Sequence, residues 1–390
     1  MKIRAIESLH CDAGWRNFSF LKISTDEGLI GYSEYNESYG SPGLSNVIQK
    51  LGELLVGQDP RAIERITANL YARTRQAPEG LISQAIAAIE NALVDIKAKA
   101  LGIPVYELFG GPVRDRLRLY WSHFGTYRIH HAETMGVTPL RNIGDVEALA
   151  AEVVARGFSG MKTNIFLFDD AGADLHMPGF GKRNELPELN WNRDLTVRLR
   201  QQITAMRTGA GPDVDLFLDL NFNFKTEGYL QVTHALDDLG LSWFEIDSFD
   251  AQALRDIRRA NCTPIASCES LFGRRGFREF FERHAMDVAI VDVPWNGINE
   301  SLKIAAMADA YEINVAPHNF YGHLSTLMSA HFCAALPNFR IMEIDIDDVP
   351  WKDDLVTEPP HIENGHLLLP TSPGWGADLN ETAIRAHPPK

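Results

Sequence analysis

Asp219, Glu245, Glu269, Asp292, His318 and Glu343 succeed one another at steps of 26, 24, 23, 26 and 25 residues, each at the end of a short apolar run. Residues of these types at a near-constant interval can do two kinds of chemistry. Asp219, Glu245 and Glu269 are three oxygen donors in series. Three carboxylates crowded into a low-dielectric site repel one another until a hard divalent cation neutralises them. Mg²⁺ suits such a set, because it takes carboxylates and keeps positions open for water and substrate oxygens. Zinc would recruit His or Cys, and neither occupies these three places. Asp292 and His318 come next. A carboxylate beside an imidazole fixes its tautomer and raises its pKa, which makes a general base. Lys162, in "GMKTN", adds a cation able to bind a substrate carboxylate or handle a proton.

Positioning these groups needs a repeating element. One βα unit of a barrel of ~250 residues with eight units has about the length of the observed steps, so consecutive strands would each deliver one acid or His to the catalytic face. The runs "RLYWSHF", "GMKTNIF", "VDLFLDLN", "LSWFEID", "PIASCES", "VAIVDVP", "INVAPHN" and "FRIMEID" alternate with amphipathic stretches, and eight parallel strands close a barrel. A doubly wound open sheet is the structural alternative, but no Walker-type loop or Gly-rich nucleotide turn follows any of these runs.

Ahead of the barrel, "KIRAIESLH", "FSFLKISTD" and "LIGYSEY" alternate apolar and polar residues as antiparallel strands do, with "DEG" as a turn. "LISQAIAAIENALVDIKAKALG" predicts a helix with Ile82, Ala85, Ile86, Ile89, Leu93 and Ile96 on one face, stopping at Gly102. The turn-rich "GGPVRDRL" marks a boundary. The expected division is an α+β unit over 1–115, a barrel over 116–345 and a Pro- and Gly-rich segment over 346–390 that returns to the first unit.

The 390 residues, 45% hydrophobic and 23% charged, have the composition of a soluble globular protein, with no apolar run long enough to span a bilayer. A formal charge of −15 argues against nucleic acid as a partner. An anionic substrate would need a bound cation or a placed Lys to overcome that field. "MKIRAIESLHCDAG" lacks the pattern of a signal peptide, and the four cysteines show no metal-ligand spacing, so a cytoplasmic location is expected.

With these residues in place, the chain resembles the enolase superfamily, and within it the mandelate racemase subgroup, over essentially its whole length. "LDLN", "FEID", "SCES", "VDV", "APHNF" and "MEID" stand in that family's order and spacing, as do the helix "AIAAIENALVDIKAKALGIPVYELFGG" and "PGWGADLNE". The resemblance implies an N-terminal α+β capping domain over a modified TIM barrel, (β/α)7β, acting as a homo-oligomer. It implies Mg²⁺ held by Asp219, Glu245 and Glu269. It also implies a catalytic dyad of His318 and Asp292, an electrostatic Lys162, and Glu343 as the acid that hydrogen-bonds the substrate carboxylate. An ordinary side-chain base cannot take the α-proton of a carboxylate anion unless the added charge is stabilised, and Mg²⁺ supplies that stabilisation in this superfamily.

Two departures shape the functional expectation. Glu245-Ile246-Asp247 stands where most members carry two acids and Pro, so Glu245 is the expected ligand and Asp247 a weaker claimant. Lys162-Thr163-Asn164 stands where racemases carry Lys-x-Lys, and an amide cannot accept a proton at neutral pH. One face of the substrate has therefore lost its usual base. Dehydration of a polyhydroxy acid needs only one strong base, so the expectation is an acid-sugar dehydratase, a hydro-lyase converting an aldonate or aldarate to a 2-keto-3-deoxy acid. A racemase or epimerase of an α-hydroxy acid is the alternative, and a catalytically retired sugar-acid binding protein is a third reading.

Specificity should come from loops of the capping unit, "HCDAGWRNFSF" and "NESYGSPG". Trp15, Arg16, Tyr39 and His123, with Asn164 and Asn221 nearer the reacting end, are the expected substrate contacts. The long connection over 166–190 reads as a further flap carrying His176, and "LFGRRGFREFFERH" as a helix face for subunit packing, or for positioning a distal carboxylate if the substrate is a diacid.

Overall fold

Strands β1 (Ile3–Asp12), β2 (Asn17–Thr25) and β3 (Ile30–Tyr35) form an antiparallel meander in which Ile6 pairs with Ile23 and Phe20 with Glu34. The expected "DEG" turn joins β2 to β3, with Gly28 at φ 86°, a conformation open to glycine at no steric cost. This computed structural model describes residues 1–170, 172–180 and 187–390. Helices α1 (Leu44–Gly52), α2 (Ile63–Arg73) and α3 (Leu81–Leu101) complete the capping unit, and Gly102 ends α3 in a left-handed conformation.

α3 departs from the one-faced helix expected of its sequence, since every residue from Ser83 to Ile96 is buried. The helix is wedged between the three-stranded sheet and the barrel. Gly31 of β3 lies so close to α3 that a Cβ there would stand 2.1 Å from the Ala92 carbonyl oxygen. On the barrel side, Glu90 accepts from the backbone N–H of Asn299 at 2.9 Å, and Asn91 accepts from Ile298 N–H at 2.9 Å and donates to the Val293 carbonyl. The polar face of α3 is thus paired with barrel backbone, as burial demands.

The barrel opens with β4 (Arg116–Ser122) and β5 (Gly160–Thr163). β6 (Phe166–Asp169) and β7 (Gly172–Leu175) then form an antiparallel hairpin outside it, within the expected flap. Residues 171 and 181–186 of that flap lie outside the described residues. The barrel continues through β8 (Asp215–Asp219), β9 (Trp243–Glu245), β10 (Ile265–Ser267), β11 (Val288–Val291), β12 (Asn314–Pro317) and β13 (Met342–Asp345). Parallel pairing runs from β4 through β5 and β8 to β12, and β13 pairs with β4. The last seam is made by Val315, whose N–H donates to Asn338 and whose carbonyl accepts from Arg340, both at 2.9 Å. The sheet is closed, which removes the open doubly wound alternative.

Tyr120, Phe217, Trp243, Ala266, Val288, Ile290, Ala316 and Ile341 fill the barrel interior, with Phe217 stacked on Trp243 at 3.9 Å. This apolar plug makes the floor on which the polar mouth rests. Beyond the barrel, β14 (Ile362–Glu363) and β15 (His366–Leu368) form a hairpin paired with β4. The remaining chain reaches the capping unit, where Trp375 donates to the Tyr32 carbonyl at 2.8 Å. No helix among the described residues is long and apolar enough to cross a membrane. The helix Gly273–Glu282 buries Phe277, Phe280 and Phe281 in the core of this chain, while Phe272 ahead of it is partly exposed and stacks on Trp295.

Candidate active site

The series of polar residues arrives at one end of the barrel. Asp219 and Glu245 are the last residues of β8 and β9, Asp292 and His318 directly follow β11 and β12, and Glu269 lies two residues past β10. Glu343 differs slightly from the strand-end position expected of it, being the second residue of β13. All six are buried, so their charges have little access to bulk water.

The Lys162 ammonium stands among these acids, 2.8 Å from Glu245 Oε1, 2.9 Å from Glu343 Oε1 and 3.7 Å from Asp219 Oδ2. Burial alone would lower its pKa, but Glu245, Glu343, Tyr120 and Asp219 hold it well above the usual lysine range. For Glu343, burial is outweighed by Lys162 and then by His318 and His123, which keep it well below the ordinary carboxylate value. Ser122 Oγ also donates to Glu343 Oε1, and the Asn319 N–H donates to Oε2 at 2.6 Å.

His318 donates through Nδ1 to Asp292 Oδ2 at 2.7 Å, which directs Nε2 toward Glu269 at 3.6 Å. The same oxygen has a second partner that residue spacing does not reveal. Tyr321 donates to Asp292 Oδ2 at 2.5 Å, and the Trp295 N–H donates to Oδ1 at 2.7 Å. Burial pulls the His318 pKa down, but Glu269, the Asp292 hydrogen bond and charge, and Glu343 together raise it to about 10.

Asn164 is fixed as a neutral donor and acceptor. Its Nδ2 donates to Asn221 Oδ1 at 3.0 Å, and its Oδ1 accepts from Thr126 at 2.8 Å. Asn221 adopts φ 45°, and its N–H donates to Asp219 Oδ1 at 2.9 Å, which ties this amide pair to the carboxylate cluster. The expected distal contacts, three from the capping loops and His123 directly after β4, gather in a second group. His123 meets Asp345 Oδ1 at 2.8 Å, and Arg16 donates to Asp348 at 2.8 Å. The Arg16 guanidinium sits over the rings of Trp15, Phe18 and Tyr127, while Tyr39 is 39% exposed and donates to the Trp15 carbonyl at 3.4 Å. Phe320 links the two groups, with its ring 5.0 Å from His318 and 6.0 Å from the Arg16 guanidinium. Arg16 Nε and Nη1 and the Trp15 indole N–H are buried with no hydrogen-bond partner among the described residues. His176 stacks on Phe224 at 5.8 Å, with Nε2 unpartnered among the described residues.

Among the described residues, no group of three or more His, Cys, Asp or Glu side chains is gathered closely enough to hold a metal ion. Lys162 provides the counter-charge among the acids instead. The donor set nonetheless has the chemistry Mg²⁺ requires. Burial, with Asp219, Glu269 and Glu343, pushes Glu245 up to about 8 even though Lys162 pulls it down. Burial, with Glu269, Asp219 and Glu245, pushes Asp247 well above its ordinary value. Asp247 Oδ2 is buried with no hydrogen-bond partner among the described residues. The Lys162 ammonium and the His318 ring leave several buried carboxylates without a counter-charge, and a hard cation would meet the deficit.

Comparison with known proteins places both the capping unit and the barrel in one family. The family model described as Enolase C-terminal domain-like matches residues 145–383, and that of the Mandelate racemase / muconate lactonizing enzyme N-terminal domain matches residues 10–110. D-xylonate dehydratase of Haloferax volcanii is 28% identical over 378 residues, spanning 94% of this chain and 84% of that protein. Arabinonate dehydratase of Saccharolobus solfataricus is 30% identical over 374 residues, spanning 94% and 89%. A crystal structure from Burkholderia xenovorans strain LB400, provisionally assigned as an L-alanine-DL-glutamate epimerase and bound to magnesium and fumarate, is 51% identical with a TM-score of 0.97, covering 100% of this chain and 96% of that one.

Proposed function

The chain belongs to the mandelate racemase and muconate lactonizing enzyme family of the enolase superfamily, and from that membership we propose that it is a Mg²⁺-dependent dehydratase of a sugar acid. The observation that carries this reading is the asymmetry of the mouth. A hydrogen-bonded His–Asp pair stands at β11 and β12, while the position that would hold a second base, after β5, is an amide engaged at both ends. That arrangement suits proton removal from one face followed by loss of a β-hydroxyl.

Asp219, Glu245 and Glu269 would hold the cation, with Asp247 able to join them. When bound, Mg²⁺ supplies positive charge against which the negative charge developing at the substrate carboxylate is stabilised. Lys162 contributes a fixed cation at the same carboxylate, and Glu343, held ionised, accepts a hydrogen bond from a neighbouring substrate hydroxyl. With a bound cation offsetting Glu269 and its neighbours, which otherwise keep the ring protonated, His318 Nε2 would be free to take the α-proton, while Asp292 holds Nδ1–H and stabilises the imidazolium. That imidazolium then returns the proton to the departing β-hydroxyl. The C–H and C–O bonds break, water leaves, and the enol tautomerises to a 2-keto-3-deoxy acid. Trp15, Arg16, Tyr39, His123, Asn164 and Asn221 bind the rest of the substrate. The same reading takes the enzyme to be a cytoplasmic homo-oligomer.

Racemisation or epimerisation is the second reading, supported by the provisional assignment of the Burkholderia protein at 51% identity. It requires proton delivery to the opposite face, where this chain carries Asn164. A library of aldonic and aldaric acids, incubated with enzyme and Mg²⁺ in D₂O, separates the two. The dehydratase reading expects a 2-keto-3-deoxy product. Recovery of only α-deuterated substrate or its epimer from every acid would favour the second reading.

A further inference from the structure

We propose that Glu34, on strand β3 of the capping unit, is a positioning residue for His318. Its fully buried carboxylate accepts from two backbone N–H groups at the start of the barrel helix His323–Ala334. Gly322 donates to Oε1 at 2.6 Å and Ser325 to Oε2 at 2.9 Å. These are the first free donors of a 12-residue helix, and a carboxylate is the natural acceptor for them.

The grip lies four residues from the proposed base, and the intervening segment is knitted together. Ser325 Oγ donates to Asn319 Oδ1 at 2.9 Å, and Asn319 Nδ2 donates to Thr326 Oγ1 at 3.1 Å. Asn319 in turn directs its backbone N–H to Glu343, and Tyr321 reaches the Asp292 oxygen that holds His318. Moving Ser325 therefore moves Asn319, which adjoins His318, and moving Gly322 moves Tyr321. Gly322 itself is shaped to the contact, because a Cβ there would stand 2.8 Å from Glu34 Oε1. The capping unit thus orients the catalytic imidazole as well as covering the substrate, through a contact between residues some 290 positions apart.

The proposal rests on His318 being the base of the proposed reaction. Its test compares Glu34→Gln and Gly322→Ala, which disturb the contact from either side, with Glu90→Ala, which removes the acceptor for Asn299 elsewhere on the same interface. Both of the first two should lower kcat by about tenfold to a hundredfold, the scale of a small misplacement of a catalytic group, with much less change in KM. Glu90→Ala should leave kcat near wild type even at an equal loss of Tm. Without any substrate, the first two should speed hydrogen–deuterium exchange over residues 319–326 and change the rate at which diethyl pyrocarbonate modifies His318 by several-fold, and Glu90→Ala should do neither. If kcat follows Tm alike in all three variants, or His318 modification is unchanged, Glu34 is merely structural and the proposal falls. A wild-type protein inert toward every sugar acid would sink the dehydratase reading, and the substrate-free measurements would still decide the positioning role.

Discussion

Asn164 Nδ2 donates to Asn221 Oδ1 at 3.0 Å, so the side chain after β5 is bonded to the side chain of a residue whose own N–H holds Asp219. Asn164→Ala removes hydrogen bonds but no proton transfer, and a loss of at most about tenfold in kcat/KM is expected. Asn164→Lys would place an amine on the face away from His318. Sugar acid recovered from D₂O should then include the α-deuterated epimer, which the wild type should not form. Epimer formation by the wild type at a comparable rate would remove Asn164 as the discriminating residue.

His318→Asn should abolish both dehydration and α-proton exchange, since removal of a positioned base costs ~10²–10⁴-fold or more where no other group substitutes. Asp292→Asn should be severe for a different reason, because both His318 Nδ1 and the Tyr321 hydroxyl lose the anionic oxygen they share. Lys162→Ala should also be severe through the loss of a fixed cation. Normal exchange in His318→Asn together with lost exchange in Lys162→Ala would reverse the base assignment.

Asp219→Asn, Glu245→Gln and Glu269→Gln should each weaken Mg²⁺ binding, measured by calorimetric titration with the metal alone, and exhaustive chelation should end turnover. Asp247→Asn removes a buried carboxylate with an unpartnered oxygen. It should therefore raise Tm in the metal-free protein while reducing the further rise that Mg²⁺ produces. Activity that survives chelation would overturn the metal assignment.

Arg16 holds one carboxylate closely and keeps two buried N–H-bearing nitrogens without partners. If the distal end of the substrate supplies their acceptor, Arg16→Met should raise KM by about tenfold, the value of a lost hydrogen bond to a charged group, with a smaller effect on kcat. An unchanged KM across the whole acid library would make Arg16 a packing residue of the aromatic cluster.

Glu90 gives a stability prediction. Burial raises its carboxyl from the ordinary 4.5 to about 8, against the opposing effects of the Asn299 N–H and Lys303. The folded protein therefore binds this proton more tightly than the unfolded chain does. The associated stability is complete below the unfolded value and declines as pH rises toward the folded one. Glu90→Gln should accordingly lose less Tm than the wild type between about pH 5 and pH 8.5. Parallel Tm curves for the two proteins would show that Glu90 does not titrate in this window.

The barrel and the order of its functional groups were legible in the sequence because covalent spacing and fold repeat coincide. When each βα unit takes about the same length of chain, Asp219, Glu245, Glu269, Asp292, His318 and Glu343 fall at matched positions on successive strands whatever the packing details. The replacement of a basic residue by Asn164 was equally visible, since it is a matter of residue type. Other features had no such repeat to reveal them. The sequence of α3 predicts one buried face, and only its position between two units buries the whole circumference. Tyr321 on Asp292, Ser122 on Glu343, the orphaned oxygen of Asp247 and Glu34 on Gly322 and Ser325 depend on which side chains meet once distant segments pack. The periodic sequence decided which residues face the mouth. Tertiary packing decided how they are held and charged, because hydrogen bonds and burial are set by neighbours that lie up to some 290 residues away along the chain.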